Sequence, residues 1–186
     1  MNPLLYKITD KDRRTHDGFL WPEPKGEWVT ASGEGQLCGP GWLHAYNSSL
    51  VAMLRNPVDG AYDESTLRLW TMEWEGKRLD DTPSVLKCGV TRARLFEEIE
   101  PPKLSIRERC CAAIEIARAV RTVPIPPIPA WDEWATAYIL GDATAAAAWA
   151  RAAEAAARAA AAKPLDLHAI IERAVAAERA RVGGSR

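Results

Sequence analysis

The chain has 186 residues, 47% apolar and 26% charged, and its 24 basic and 25 acidic side chains leave a formal charge of −1. That size and composition fit one globular domain, or a domain with an appended helical segment. The mixing of signs excludes the basic stripe that a nonspecific nucleic-acid binder needs, and the short clusters at Lys11-Asp12-Arg13-Arg14 and at Arg92 and Arg94 read as solvated faces.

Before Pro101 the pattern is one of strands and turns. Residues 4–9 (LLYKIT) are a short β-prone run, ended by a polar turn over 10–17. Residues 27–30 are a second candidate strand, followed by the Ser32-Gly33-Glu34-Gly35 turn. In Cys38-Gly39-Pro40-Gly41 two glycines flank a proline, which predicts a rigid, sharply turned backbone. That turn delivers residues 42–45 onto a third strand and is expected to bring Cys38 towards His44. Asn47 or Ser48 then caps a helix carrying Leu50, Val51 and Leu54, expected to stop at Asn56-Pro57. Residues 66–74 make the strongest strand, with Leu67 and Leu69 facing one way and Trp70, Met72 and Trp74 the other. Apolar residues on both faces place it centrally. Glu75-Gly76 opens the next turn, and residues 85–89 and 91–99 read as two strands, or as one long strand bulged at Gly89. Strand, helix, strand, strand predicts an α+β domain over residues 1–100, a mostly antiparallel sheet with one short helix, followed by a C-terminal helical segment.

Past Pro101-Pro102 the period becomes helical. Ser105-Ile106-Arg107-Glu108 is a capping box opening a packing helix within residues 101–122, whose stripe is Ile106, Cys110, Ala113, Ile114 and Ala117. A proline-rich linker at 123–130 is too stiff for helix and is expected to lie extended, as a strap. The alanine-rich segment 131–186 is expected to hold three helices, over 131–140, 142–162 and 167–182. The middle one is sustained largely by propensity and pairs with the last as a hairpin, with Leu167, Ile170, Ile171, Ala174 and Val175 in the seam.

Four cysteines, Cys38, Cys88, Cys110 and Cys111, match no CxxC pattern, and no third histidine stands at metal spacing, so neither a metal nor another cofactor is expected. The alanine-rich stretch is charged and only weakly apolar, so no membrane span is expected, and the opening residues lack an apolar signal region. A reduced cytosol is the expected setting. Neither a Walker loop, nor a dinucleotide GxGxxG, nor a GxSxG elbow is present.

His44, just after the Gly-Pro-Gly turn, suits a general base or a ligand contact; its structural alternative is a ring bonded to backbone in a tight corner. Glu73 and Glu75, two apart on a strand end, point to the same side, as hydroxyl-binding carboxylates do; exposed strand-end glutamates look the same. His16 and His168 look incidental. Of eight tryptophans most are expected in the core, and any left exposed would mark a binding surface.

The opening Tyr6-Lys7-Ile8-Thr9-Asp10-Lys11-Asp12, then Leu37-Cys38-Gly39-Pro40-Gly41-Trp42-Leu43-His44-Ala45-Tyr46, then Leu69-Trp70 and Gly76, together resemble a protein family of bacteriophages and prophages. Its members carry a YK-x-x-D-x-D start, a C-x-x-G-x-H-A motif and an alanine-rich helical tail. This chain departs by Arg13 and Arg14, where a glycine turn is usual, by two residues rather than one between Gly41 and His44, and by its proline-rich strap. The resemblance implies a phage accessory protein in the host bacterial cytoplasm. The expected function is non-enzymatic binding to a host protein or defence complex, as an inhibitor of the anti-CRISPR kind. Self-association through the helical tail is the other expected contact, and nucleic acid is not an expected partner. The alternative is a nucleotide-binding cleft, loosely similar to ADP-ribosyltransferase-like folds, lined by Tyr6, His44 and Glu75, with Lys7, Trp42 and Glu73 as further candidate ligand-binding residues. The usual serine-threonine pair of those folds is missing here.

Overall fold

A computed structural model of the chain describes residues 2–81, 86–120, 129–141 and 166–183. The protein divides into two compact units, Met1–Lys103 and Leu104–Arg186.

The first unit is an α+β structure on a five-stranded antiparallel sheet. Its strands are β1 (Leu5–Thr9), β2 (Val29–Thr30), β3 (Leu43–Tyr46), β4 (Arg68–Asp80) and β5 (Lys87–Ile99), with helix α1 (Ser49–Asp59) between β3 and β4. β1 pairs with β3 and with β4, β4 pairs with β5, and β5 pairs back to β3, so these four strands close a ring. β2 adds to β5 at Ala93 and Arg92. Closure joins the β4 end of the strand order back to β5, while β2, last at the other end, keeps an outer edge.

Two bulges in the β4–β5 ribbon bend it enough to close. Thr71 stands opposite the pair Phe96-Glu97, and Thr91 opposite the pair Gly76-Lys77. An extra residue on one strand kinks the ladder and increases its twist. At each bulge the facing threonine repairs the interrupted bonding. The Thr71 hydroxyl donates to the Glu97 carbonyl at 3.2 Å and accepts from its amide at 3.1 Å; the Thr91 hydroxyl accepts from the Lys77 amide at 2.9 Å. Gly76 has φ +84, which glycine adopts without strain. The expected turn at Glu75-Gly76 is therefore a bulge inside one 13-residue strand. β5 is a single strand as well, and its irregularity falls at Phe96-Glu97 rather than at Gly89.

One cluster fills the ring: Leu5, Ala45, Trp70, Met72, Cys88, Val90, Ala93 and Leu95, with Trp21 contributed from the loop after β1. Helix α1 packs against β1 and β3. The Ser48 hydroxyl caps it by accepting from the Val51 amide at 3.1 Å. It runs to Asp59, past the stop expected at Asn56-Pro57. The reason is the buried Asn56. Its carbonyl oxygen receives the amides of Gly60 and Ala61, while its side chain bonds the backbone of Tyr62 in both directions. Those bonds offset the one amide that proline removes from the last turn.

The second unit contains α2 (Ile106–Val120), α3 (Pro129–Leu140) and α4 (Leu167–Gly183). The capping box forms: the Ser105 amide donates to Glu108 at 2.6 Å and the Glu108 amide to the Ser105 hydroxyl at 3.2 Å. Cys110, Cys111, Ile114, Ala135 and Tyr138 form the core between α2 and α3. On α4, Ile171, Ala174 and Val175 are buried, and this helix packs on α2. Glu178 is buried, with Arg107 at 2.6 Å and Arg181 at 2.8 Å, and Arg107 also donates to the Tyr138 and Ile139 carbonyls at the end of α3. One guanidinium thus ties α2, α3 and α4. Ile106, expected in the buried stripe, is 66% exposed, because the chain is still entering the helix there and the stripe begins one turn later at Cys110. The expected helix over 142–162, its seam with α4, and most of the proline-rich strap lie outside the described residues.

Candidate functional site

Of the six candidate residues, Lys7 and His44 meet. β1 and β3 pair at Tyr6 and Tyr46, and just beyond that pair the Lys7 ammonium donates to the His44 carbonyl oxygen at 2.9 Å. It also lies 5.8 Å from the ring centre of Trp21. Burial pushes the Lys7 pKa down to about 8; Asp17 pulls it up and Lys87 pushes it further down.

His44 has a bonding role of its own. Its Nε2 meets the backbone carbonyl of Leu37, the residue before Cys38. A carbonyl only accepts, so Nε2 carries the hydrogen and Nδ1 is the basic nitrogen of the neutral ring. Burial holds the His44 pKa below the ordinary histidine value, against the raising effect of the Leu37 bond, and the Lys7 and Lys87 charges lower it further. Trp42 fastens the same loop by donating from its indole to the Gly35 carbonyl at 3.2 Å. A Cβ on Gly89, opposite His44, would lie 2.7 Å from Trp42 Cβ and 2.8 Å from Leu37 Cδ1. The Gly-Pro-Gly loop therefore folds down on β5 and is held there by His44, Trp42 and the absence of a side chain at Gly89. Cys38 is exposed on it as a free thiol.

Glu73 and Glu75 go elsewhere. They stand directly across from Arg94 and Arg92 and pair with them at 2.6 and 2.9 Å. Both guanidiniums lie 4.8 Å from the ring centre of Trp28, which precedes β2. This arrangement of two ion pairs around one indole docks the β2 edge onto the ribbon, so Arg92 and Arg94, expected on a solvated face, are held in ion pairs instead. Tyr6, on β1, stands across from Thr71 on β4 as well as from Tyr46.

The sequence reading missed the feature beside Lys7. Residues 14–20 form a small hairpin with a bridge between Arg14 and Leu20. Asp10 accepts the amides of Asp12 and Arg14 at 2.8 and 2.7 Å and sets its base, and the Arg14 side chain donates to the Gly18 carbonyl at 3.2 Å. The Thr15 amide donates to Phe19 at 2.9 Å and the Trp21 amide to Arg13 at 3.0 Å. Trp21 is 1% exposed in the core of the unit, whereas Phe19 and Leu20 are 42% and 48% exposed. Phe19 stands edge-on to Trp21, with ring centres 5.7 Å apart. The signal available was the Asp17-Gly18 turn followed at once by Phe-Leu-Trp.

Among the described residues no group of three or more His, Cys, Asp or Glu side chains is placed to hold a metal ion, and no helix is long and apolar enough to cross a membrane. Comparisons of the chain with models of protein families, with curated proteins and with solved structures find no match.

Proposed function

We propose that this protein is a non-enzymatic interaction module whose contact surface is the hairpin at residues 14–20. The observation that carries the reading is the pairing of two exposed large apolar side chains, Phe19 and Leu20, with a deeply buried anchor, Trp21. A rigid aromatic on a pre-ordered turn loses little entropy on binding, which is the property of an interface anchor. The resemblance of the sequence to phage proteins supports a host bacterial protein as the target, with a defence complex as the finer form of the proposal. His44, Glu73 and Glu75 support it indirectly, since each is engaged in fastening a loop or strand.

The test is affinity capture from bacterial lysate with the wild-type chain and with a Phe19→Ser, Leu20→Ser variant. The variant should stay folded, with stability lowered by about 0.5–1.5 kcal/mol for the lost Phe19–Trp21 contact, while the captured protein is lost. Retention of the partner at full yield by the variant would overturn the assignment of the hairpin.

One observation favours a second reading, a nucleotide site near Tyr6 and His44: the two motif residues Lys7 and His44 come together. A nucleotide released by heat from the purified chain, with no captured protein, would shift the conclusion to that site.

A further inference from the structure

The second unit holds a cavity of about 540 Å³, bordered by Cys111 and Glu115 of α2, Ile139 of α3, and Ile170, Arg173, Ala174, Ala177, Glu178 and Arg181 of α4. Its floor is apolar. Ile170, Ala174 and Ala177 follow one another at helical spacing on the same face of α4, and Ile139 closes one end. The Cys111 thiol belongs to that floor chemically, because burial pushes its pKa up to about 11 and keeps it neutral.

Four charged side chains stand at the rim, Glu115, Arg173, Glu178 and Arg181, and they are unequal in their commitments; Glu115 has a partner of its own. Glu178 is matched by Arg107 and by two bonds from Arg181, at 2.9 and 2.8 Å. Arg173, by contrast, is exposed and makes no ion pair or hydrogen bond among the described residues. A cavity of this size with an apolar floor and one uncommitted guanidinium matches the general make-up of small-molecule sites, in which apolar walls give affinity and a single charged group gives orientation. A guanidinium presents two parallel donors, the geometry that a carboxylate accepts best.

We propose that this cavity binds a small amphiphilic carboxylate, with its aliphatic chain on Ile139, Ile170, Ala174 and Ala177 and its carboxylate on Arg173. The site is independent of the hairpin at residues 14–20, so either can fail without the other.

The experiment is isothermal titration of the full chain with sodium decanoate, kept below micelle formation, alongside 1-decanol. Three variants accompany the wild type: Arg173→Gln, Ala177→Leu, which fills the floor from an exposed position, and Lys11→Gln as a charge control in the other unit. Circular dichroism and melting check that each is folded. The expected result is saturable one-to-one binding, weakened about tenfold by Arg173→Gln as for loss of a charged hydrogen bond, abolished by Ala177→Leu and unchanged by Lys11→Gln. Decanol should bind more weakly than decanoate. Absence of saturable binding would overturn the proposal. So would binding indifferent to Arg173→Gln, which would leave the carboxylate unassigned, or binding indifferent to Ala177→Leu, which would place the chain elsewhere.

Discussion

His44 and Lys7 show how a polar side chain in this protein is explained by its bonds before any chemistry is invoked. His44 holds the loop through the Leu37 carbonyl, so His44→Ala leaves a carbonyl unpaired in a part-buried corner. The expected cost is about 1–3 kcal/mol in urea unfolding, the usual penalty for such a group. A variant as stable as wild type that had lost nucleotide binding would instead make His44 a ligand residue. Lys7 makes a prediction about pH. Its folded pKa is lowered to about 8 from 10.5, so the unfolded chain binds more protons between those values. Stability should therefore rise with pH from about 8 to about 10.5, by on the order of 1–3 kcal/mol. The buried thiols of Cys88 and Cys111, both raised from 9.0 to about 11, act in the opposite direction between those values, which overlaps the Lys7 range. The readout is thus the difference between wild type and Lys7→Met. Equal pH slopes for the two would show that the Lys7 ammonium is not held at a lowered pKa in the folded chain.

At the scale of elements, the β4–β5 ribbon carries the fold, bent at its two bulges and covered at Gly89 by the loop before β3. Gly89 lies flat beneath Trp42 and Leu37, and Gly89→Ala forces backbone or indole to move. Overpacking of this kind costs roughly 1–3 kcal/mol, and the Trp42 fluorescence should change with it; an unchanged melting curve would mean that the loop does not rest on β5. Much of this level was legible from sequence. Alternating apolar residues marked β4, and Ser105 with Glu108 marked the start of α2, because both signals are local and each residue's partner lies within a few positions. The bulge at Gly76 was not legible as one, because a glycine after a glutamate reads the same in a turn and in a bulge. What separates the two is the Thr91 hydroxyl on another strand. Asn56-Pro57 misled for a similar reason, since the bonds that carry the helix onward come from residues beyond its end.

For the whole molecule, the division at Lys103 and Leu104 makes a direct prediction. The first unit has its own closed ring and its own core, so residues 1–103 expressed alone should unfold in one cooperative transition and should remain sensitive to His44→Ala. A molten, non-cooperative fragment would show that the ring needs the helices. By itself the sequence determined the class of the fold, the order of most elements and the capping of α1 and α2, because these depend on composition and on residues close in the chain. Only the tertiary structure decided the rest: that four strands close on themselves, that Glu73 and Glu75 face Arg94 and Arg92 across a ladder, that Trp21 reaches the core and leaves Phe19 and Leu20 outside it. Each of these rests on strand register and on contacts between residues tens of positions apart. Register is set only when all the strands are in place together.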